Sequence, residues 1–116
     1  MKILICGPEG SGKTTLAKPF AKLLDATYVT KESYANELRG YCDGLVAAGK
    51  TVVIDKRCNT NASVEYLDPD YIVWMDMRTA KTERPHRVDY HVAEWFDDTD
   101  KQLIAVVKRY IEKKNA

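Results

Sequence analysis

Eight residues near the start of the chain, Gly7-Pro8-Glu9-Gly10-Ser11-Gly12-Lys13-Thr14, put three glycines, a lysine and a hydroxyl into one tight turn. Those residue types in that order suit a polyanion. A triphosphate needs many donors in a small volume, and side chains are too bulky to supply them all, so backbone amides must. Gly7, Gly10 and Gly12 let the loop curl with its N–H groups pointing inward and the backbone close to the phosphates. A helix starting near Lys13 adds its unpaired amides and positive dipole end. Lys13 is then placed for the β- and γ-phosphates of ATP, and the Thr14 hydroxyl for Mg2+. A chain of this length carries the pattern by chance at roughly a few per thousand, so it outweighs an incidental glycine-rich turn.

The remaining chemistry is spread along the chain. Asp55 ends the apolar run Thr-Val-Val-Ile at 51–54. A carboxylate at such a strand end helps hold Mg2+ in phosphate-binding folds, often through water; a helix cap or turn residue is the rival reading. Asp76, after Trp74-Met75, has a similar position. Arg78, Lys81, Arg84 and Arg87 form a cationic stretch between two expected strands. Phosphoryl transfer spreads negative charge over equatorial oxygens, which arginines closing over the phosphates can answer. Arg78 is the first choice and Arg84 the second, against a solvated loop whose charges keep it soluble. His86 reads as a surface residue; His91 and Trp95 read as packing, with Trp95 able to border a base.

The elements that must position these residues follow from periodicity. Residues 2–6 are a short apolar run rich in branched side chains, as in a strand buried on both faces. From Lys13 the pattern turns helical, with Leu16, Ala17, Phe20, Leu23 and Leu24 inward; Pro19 removes an amide donor and predicts a bend. Residues 27–30 predict a second strand. Ser33 can cap a helix to about residue 48, with Tyr34, Leu38, Tyr41, Leu45 and Val46 as its inner face and Gly49 at its end. Residues 51–54 predict a third strand, 61 or 63 through 67 a short helix, 71–75 a fourth strand and 88–95 a fifth, with Val88, Tyr90 and Val92 on one side.

The last helix is the clearest. Asp97, Asp98 and Asp100 gather at its start and Lys108, Arg109, Lys113 and Lys114 near its end, which complements the helix dipole. Leu103, Val106, Val107, Tyr110 and Ile111 form its inner stripe. Strands alternating with helices predict an α/β fold, a parallel sheet with helices on both faces. Right-handed crossovers gather every strand C-terminus at one edge, where such sheets bind ligands. Gly7, Thr30, Lys31, Asp55 and Asp76 are expected to converge there.

With 116 residues the chain is expected to be one domain, 1–116, with a lid-like segment around 78–87. Eighteen basic residues stand against seventeen acidic ones. That balance gives no global basic excess for duplex DNA or an anionic membrane. Three cysteines, Cys6, Cys42 and Cys58, are an odd number without CxxC spacing, which argues against a disulfide framework or zinc site; Cys6 and Cys42 read as buried thiols. The start is too short and polar for a signal peptide, and no long apolar run follows, so the cytoplasm is the expected location.

Residues 7–17 (GPEGSGKTTLA), together with DKRCNT at 55–60, YIVWMD at 71–76 and VDYHVAEW at 88–95, resemble adenylylsulfate kinase-like members of the P-loop kinase superfamily, short viral members included. The resemblance covers about three-quarters of the chain. It implies a three-layer P-loop NTPase fold with about five parallel strands in the order 2-3-1-4-5. It also implies transfer of the γ-phosphoryl of Mg-ATP to the 3′-hydroxyl of adenylyl sulfate. Carried over by position, Gly7, Glu9, Gly10, Ser11, Gly12, Lys13, Thr14 and Thr15 bind ATP, and Asp55 is the carboxylate after the third strand. The family has an Asp-x-x-Arg motif after its second strand, with the Asp as candidate base. This chain departs from it: Asn36-Glu37-Leu38-Arg39 has Asn in that place, which leaves Glu32, then Glu37, as candidate base. The chain is also tens of residues shorter than is usual for the family, in the segment before the third strand and in the lid.

Three functions are therefore open: a kinase acting on adenylyl sulfate, a nucleotide or a polynucleotide end; an ATP or GTP hydrolase; and a minimal ATP-binding module without turnover. Oligomeric state is left open, a homo-oligomer included.

Overall fold

The structure is a computed structural model and describes residues 1–7, 13–30, 35–55, 61–75, 87–92 and 99–115. Among these residues five strands and four helices follow one another in the order β1 (Lys2–Cys6), α1 (Lys13–Leu23), β2 (Thr27–Val29), α2 (Ala35–Ala47), β3 (Val52–Asp55), α3 (Asn61–Leu67), β4 (Tyr71–Met75), β5 (Tyr90–Val92) and α4 (Thr99–Asn115). The strands form one sheet in the order β2-β3-β1-β4-β5, parallel throughout.

The apolar runs explain which strands are central. β1, β3 and β4 are buried at every position, as expected of strands covered on both faces. Alternate residues feed two cores. Ile3, Ile5, Val53, Val73 and Met75 pack under α1 and α4 with Leu16, Phe20, Leu103 and Val107. Leu4, Cys6, Val52, Ile54, Ile72 and Trp74 pack under α2 and α3 with Leu38, Cys42, Val64 and Leu67. Cys6 and Cys42 are buried thiols, as expected.

Both helices on the way to β3 end in a left-handed residue that satisfies their last carbonyls. After α1 the residue is Asp25 (φ 55°), with Asp25 N–H donating to the Lys22 carbonyl and Ala26 N–H to that of Ala21. After α2 it is Gly49 (φ 85°), with Gly49 N–H on Val46 and Lys50 N–H on Leu45.

α1 continues as a helix through Pro19. The carbonyl that loses its donor belongs to Thr15, an exposed residue, where water can replace the missing N–H. Several expectations need correction: Leu23 is half exposed, and Ala21 takes the inward place. On α2 it is Cys42, four residues after Leu38, that is buried, whereas Tyr41 is exposed. β3 begins at Val52 and includes Asp55. Val88 packs with the core under α2 and α3, opposite to Tyr90 and Val92, because the strand and its alternation begin only at Tyr90.

Candidate functional site

The strand order creates one special place. β1 and β3 are neighbours, yet the helices that follow them, α1 and α3, lie on opposite faces. Adjacent strands whose connections diverge leave a crevice at their C-terminal ends, and open α/β sheets bind ligands there. β1 delivers Gly7 to that crevice and β3 delivers Asp55.

Gly7 is buried and has φ 156°, a backbone conformation that L side chains rarely adopt. The chain therefore leaves β1 along a path that glycine takes without strain. α1 begins at Lys13, so its N-terminal amides and dipole end come directly after residues 8–12 in the chain, where the expected phosphate cradle needs them. Residues 8–12, and with them Glu9, Gly10, Ser11 and Gly12, lie outside the described residues, as do the side chains of Lys13 and Thr14. Thr15, on the first turn of α1, is exposed.

Asp55 pairs in register with Ile5 of β1. Side chains alternate along a strand, so Asp55 shares the face of Val53, the face that α1 covers. It is one of only two polar or charged residues classed as buried among those described, at 5% exposed. Burying a carboxylate is costly without hydrogen-bond donors, and Tyr28 of β2 supplies one: its hydroxyl donates to Asp55 Oδ2 over 2.6 Å. Lys18 of α1 lies over the Tyr28 ring, 5.9 Å from its centroid. A buried carboxylate on the helix side of the crevice is chemically suited to Mg2+, which takes one or two carboxylates and leaves its other positions to phosphates and water. No cluster of three or more His, Cys, Asp or Glu able to hold a metal occurs among the described residues, and a nucleotide-borne magnesium ion needs none.

The other sequence candidates stand apart. Glu32, Cys58, Asp76, Arg78, Lys81, Arg84, His86, Trp95, Asp97 and Asp98 lie outside the described residues, as do the side chains of Asn36 and Glu37. Arg87 points away from the crevice: it donates to the Pro69 carbonyl at 2.7 Å and pairs with Asp89 at 3.4 Å. His91 is exposed, not packed as expected. Tyr28 was missed by motif reading. The signal for it is a tyrosine in the strand next to β3, which means little until the register is known.

Strand order and crevice together define a P-loop NTPase fold. A family model described as RNA helicase matches residues 3–114, and the chain belongs to that family, one of the P-loop NTPase families. Among solved structures, the APS kinase CysC of Mycobacterium tuberculosis, as a cysteine-to-alanine mutant, is similar at 17% identity and a TM-score of 0.66, over 92% of this chain and 96% of that one. A gluconokinase from Sinorhizobium meliloti 1021 is similar at 16% identity and a TM-score of 0.65, over 98% and 95%. A de novo designed P-loop fold protein reaches a TM-score of 0.71 at 16% identity, over 97% and 95%. The expected fold, strand order included, is thus the observed one. Identities this low speak for fold alone, and a designed protein among the neighbours illustrates that this fold is separable from any one activity.

No helix among the described residues is long and apolar enough to cross a membrane.

Proposed function

We propose that this protein is a small Mg-ATP-dependent phosphotransferase that passes the γ-phosphoryl group to a hydroxyl acceptor, adenylyl sulfate being the acceptor suggested by resemblance and a nucleotide the next. The supporting observation is the placement of Asp55: a buried carboxylate at the end of β3, beside β1, on the face covered by α1.

In this reading the amides of residues 7–15, from Gly7 through Glu9, Gly10, Ser11, Gly12, Thr14 and Thr15, cradle the phosphates, and Lys13 holds the β- and γ-groups. Thr14 and Asp55 hold the magnesium ion, which supplies charge neutralisation on the phosphate oxygens. Arg78 steadies charge on the equatorial oxygens. Glu32 orients the acceptor hydroxyl and takes its proton as the oxygen attacks phosphorus and ADP leaves. Residues 1–116 act as one domain, with residues around 78–87 as its short lid.

The family match favours a second reading, nucleotide hydrolysis coupled to RNA. Both are tested by incubating the protein with γ-labelled ATP and magnesium, with a panel of adenylyl sulfate, nucleosides, nucleotides and 5′-hydroxyl oligonucleotides, and separately with single-stranded RNA. Label appearing on a small acceptor supports the kinase. Phosphate released in proportion to RNA, with no acceptor labelled, replaces it by the hydrolase. Tight binding of Mg-ATP with neither outcome leaves a binding module.

A further inference from the structure

We propose that Tyr28 is the positioning residue for Asp55, holding its carboxylate in the orientation that receives the metal-bound nucleotide. The inference rests on the reading of Asp55 as a metal-supporting carboxylate, and its test separates the two.

The sheet register makes the contact. β2 pairs with β3 so that Tyr28 lies beside Val53, two residues before Asp55. Two residues along a strand span about 6.6 Å. Residues of adjacent strands at that diagonal share a face and lie within reach of aromatic and other long side chains. A serine or threonine at position 28 is too short, and a tyrosine one residue away in either direction faces the other core. The tyrosine hydroxyl thus arrives at the carboxylate along the strand direction, from the side of β2 and away from β1.

The chemistry of the bond suits orientation. At 2.6 Å it has the length of a hydroxyl donating to an ionised carboxylate, roughly twice as strong as a neutral pair. One such bond fixes rotation of the carboxylate about its last torsion, which is otherwise broad. It engages one of about four acceptor sites on the two oxygens, so the bond by itself does not exhaust what the carboxylate can accept. The ring is itself held: Tyr28 packs against the core under α1, and the Lys18 ammonium lies over its face. Because Lys18 belongs to α1, the helix that begins at Lys13, β2, β3 and α1 are joined through this one side chain.

The test is Tyr28→Phe, which keeps the ring and its packing and removes the hydroxyl. ATP affinity is measured by calorimetry with and without magnesium, beside the melting temperature of the nucleotide-free protein. The expected result is a gain in affinity from magnesium that falls about tenfold, the scale of a lost hydrogen bond to a charged group. Affinity without magnesium should stay within about twofold, and kcat should fall more than KM rises. A Tyr28→Phe protein that loses melting temperature while keeping the magnesium gain overturns the inference, since the bond is then only structural. Asp55→Asn is run in parallel. If it removes the magnesium gain while Tyr28→Phe does not, positioning by Tyr28 fails alone. If Asp55→Asn itself leaves the gain intact, the metal-supporting reading of Asp55 fails, and positioning with it. The double variant completes the cycle: when Tyr28 acts through Asp55, it loses no more than Asp55→Asn alone. Additive losses count against that dependence.

Discussion

The two edges of the sheet each bury a charge, and they treat it differently. At the N-terminal edge Lys2, 7% exposed, is enclosed by the chain's own groups. Its Nζ donates to Asp43 Oδ1 of α2 and to the Leu67 carbonyl at the end of α3, both at 2.7 Å. Its backbone N–H donates to the Asp70 carboxylate at 2.7 Å, and its carbonyl receives the Asp70 N–H. Asp43 also meets Arg39 at 3.5 Å, and Arg39 lies over the Tyr66 ring, 5.5 Å from its centroid. At the C-terminal edge Asp55 of β3 meets the Tyr28 hydroxyl of β2. A counter-charge and a carbonyl make the first edge a closure that locks α2 and α3 to β1. At the second edge the carboxylate accepts from a hydroxyl, and on the proposed function it also supports a magnesium ion. On the proposed function, the same sheet has one edge organised for stability and one for binding.

The largest separation of these roles is expected from Lys13→Ala. Phosphoryl transfer should be lost and ATP affinity should drop by about a hundredfold or more, on the scale of losing a direct contact to developing charge, while the urea midpoint stays where it was. An unchanged affinity would remove the phosphate cradle from the functional edge.

Asp43→Ala should do the reverse. Lys2 is then buried without its counter-charge, at a cost of about 2 kcal/mol in urea unfolding, with ATP binding untouched. The pH dependence has a definite sign. The hydrogen bond and charge of Lys2 hold the Asp43 carboxyl below its ordinary value. Stability from the pair is therefore complete above the ordinary aspartate range, about pH 4, and is lost as pH falls below it. Asp43 is half exposed, so the effect is modest. The check is the acid limb of the stability curve, which should flatten in Lys2→Met.

The smallest expected effect concerns Tyr71, at the start of β4 on the closed edge. Burial, then the charge of Asp89, pushes its phenol up to about 12, and its ring lies 5.1 Å from that of Tyr110. A group held neutral in this way stabilises fully below its unfolded value of about 10 and loses that contribution as pH rises toward its folded one. Ultraviolet titration should show one tyrosine that ionises late; in Asp89→Asn it should ionise slightly earlier.

Much of this architecture is legible in the residues. The apolar runs at 3–6 and 71–75 became the body of the strands drawn from them, and Gly49 ends α2 as its type suggests. Leu103 and Val107 sit where the stripe of α4 placed them. Errors cluster where one residue decides a face. Leu23 and Tyr41 are apolar enough to be drawn inward by pattern, but Ala21 and Cys42, smaller residues, fit the contact with the sheet. Lys2 reads as a polar start to a strand, and nothing local reveals its burial, because Asp43, Leu67 and Asp70 lie 41 to 68 residues away.

By itself, then, the order of residues determined the turn chemistry around Gly7 and Lys13, the periodicity of each element and the strand-end place of Asp55, since all of these depend on neighbours within a turn or a strand. Which residues meet across the sheet was decided only when β2 paired with β3 and β1 with β4. A pairing offset of one residue would have turned Tyr28 away from Asp55. Hydrogen-bond register is a property of two strands at once, and no single stretch of sequence carries it.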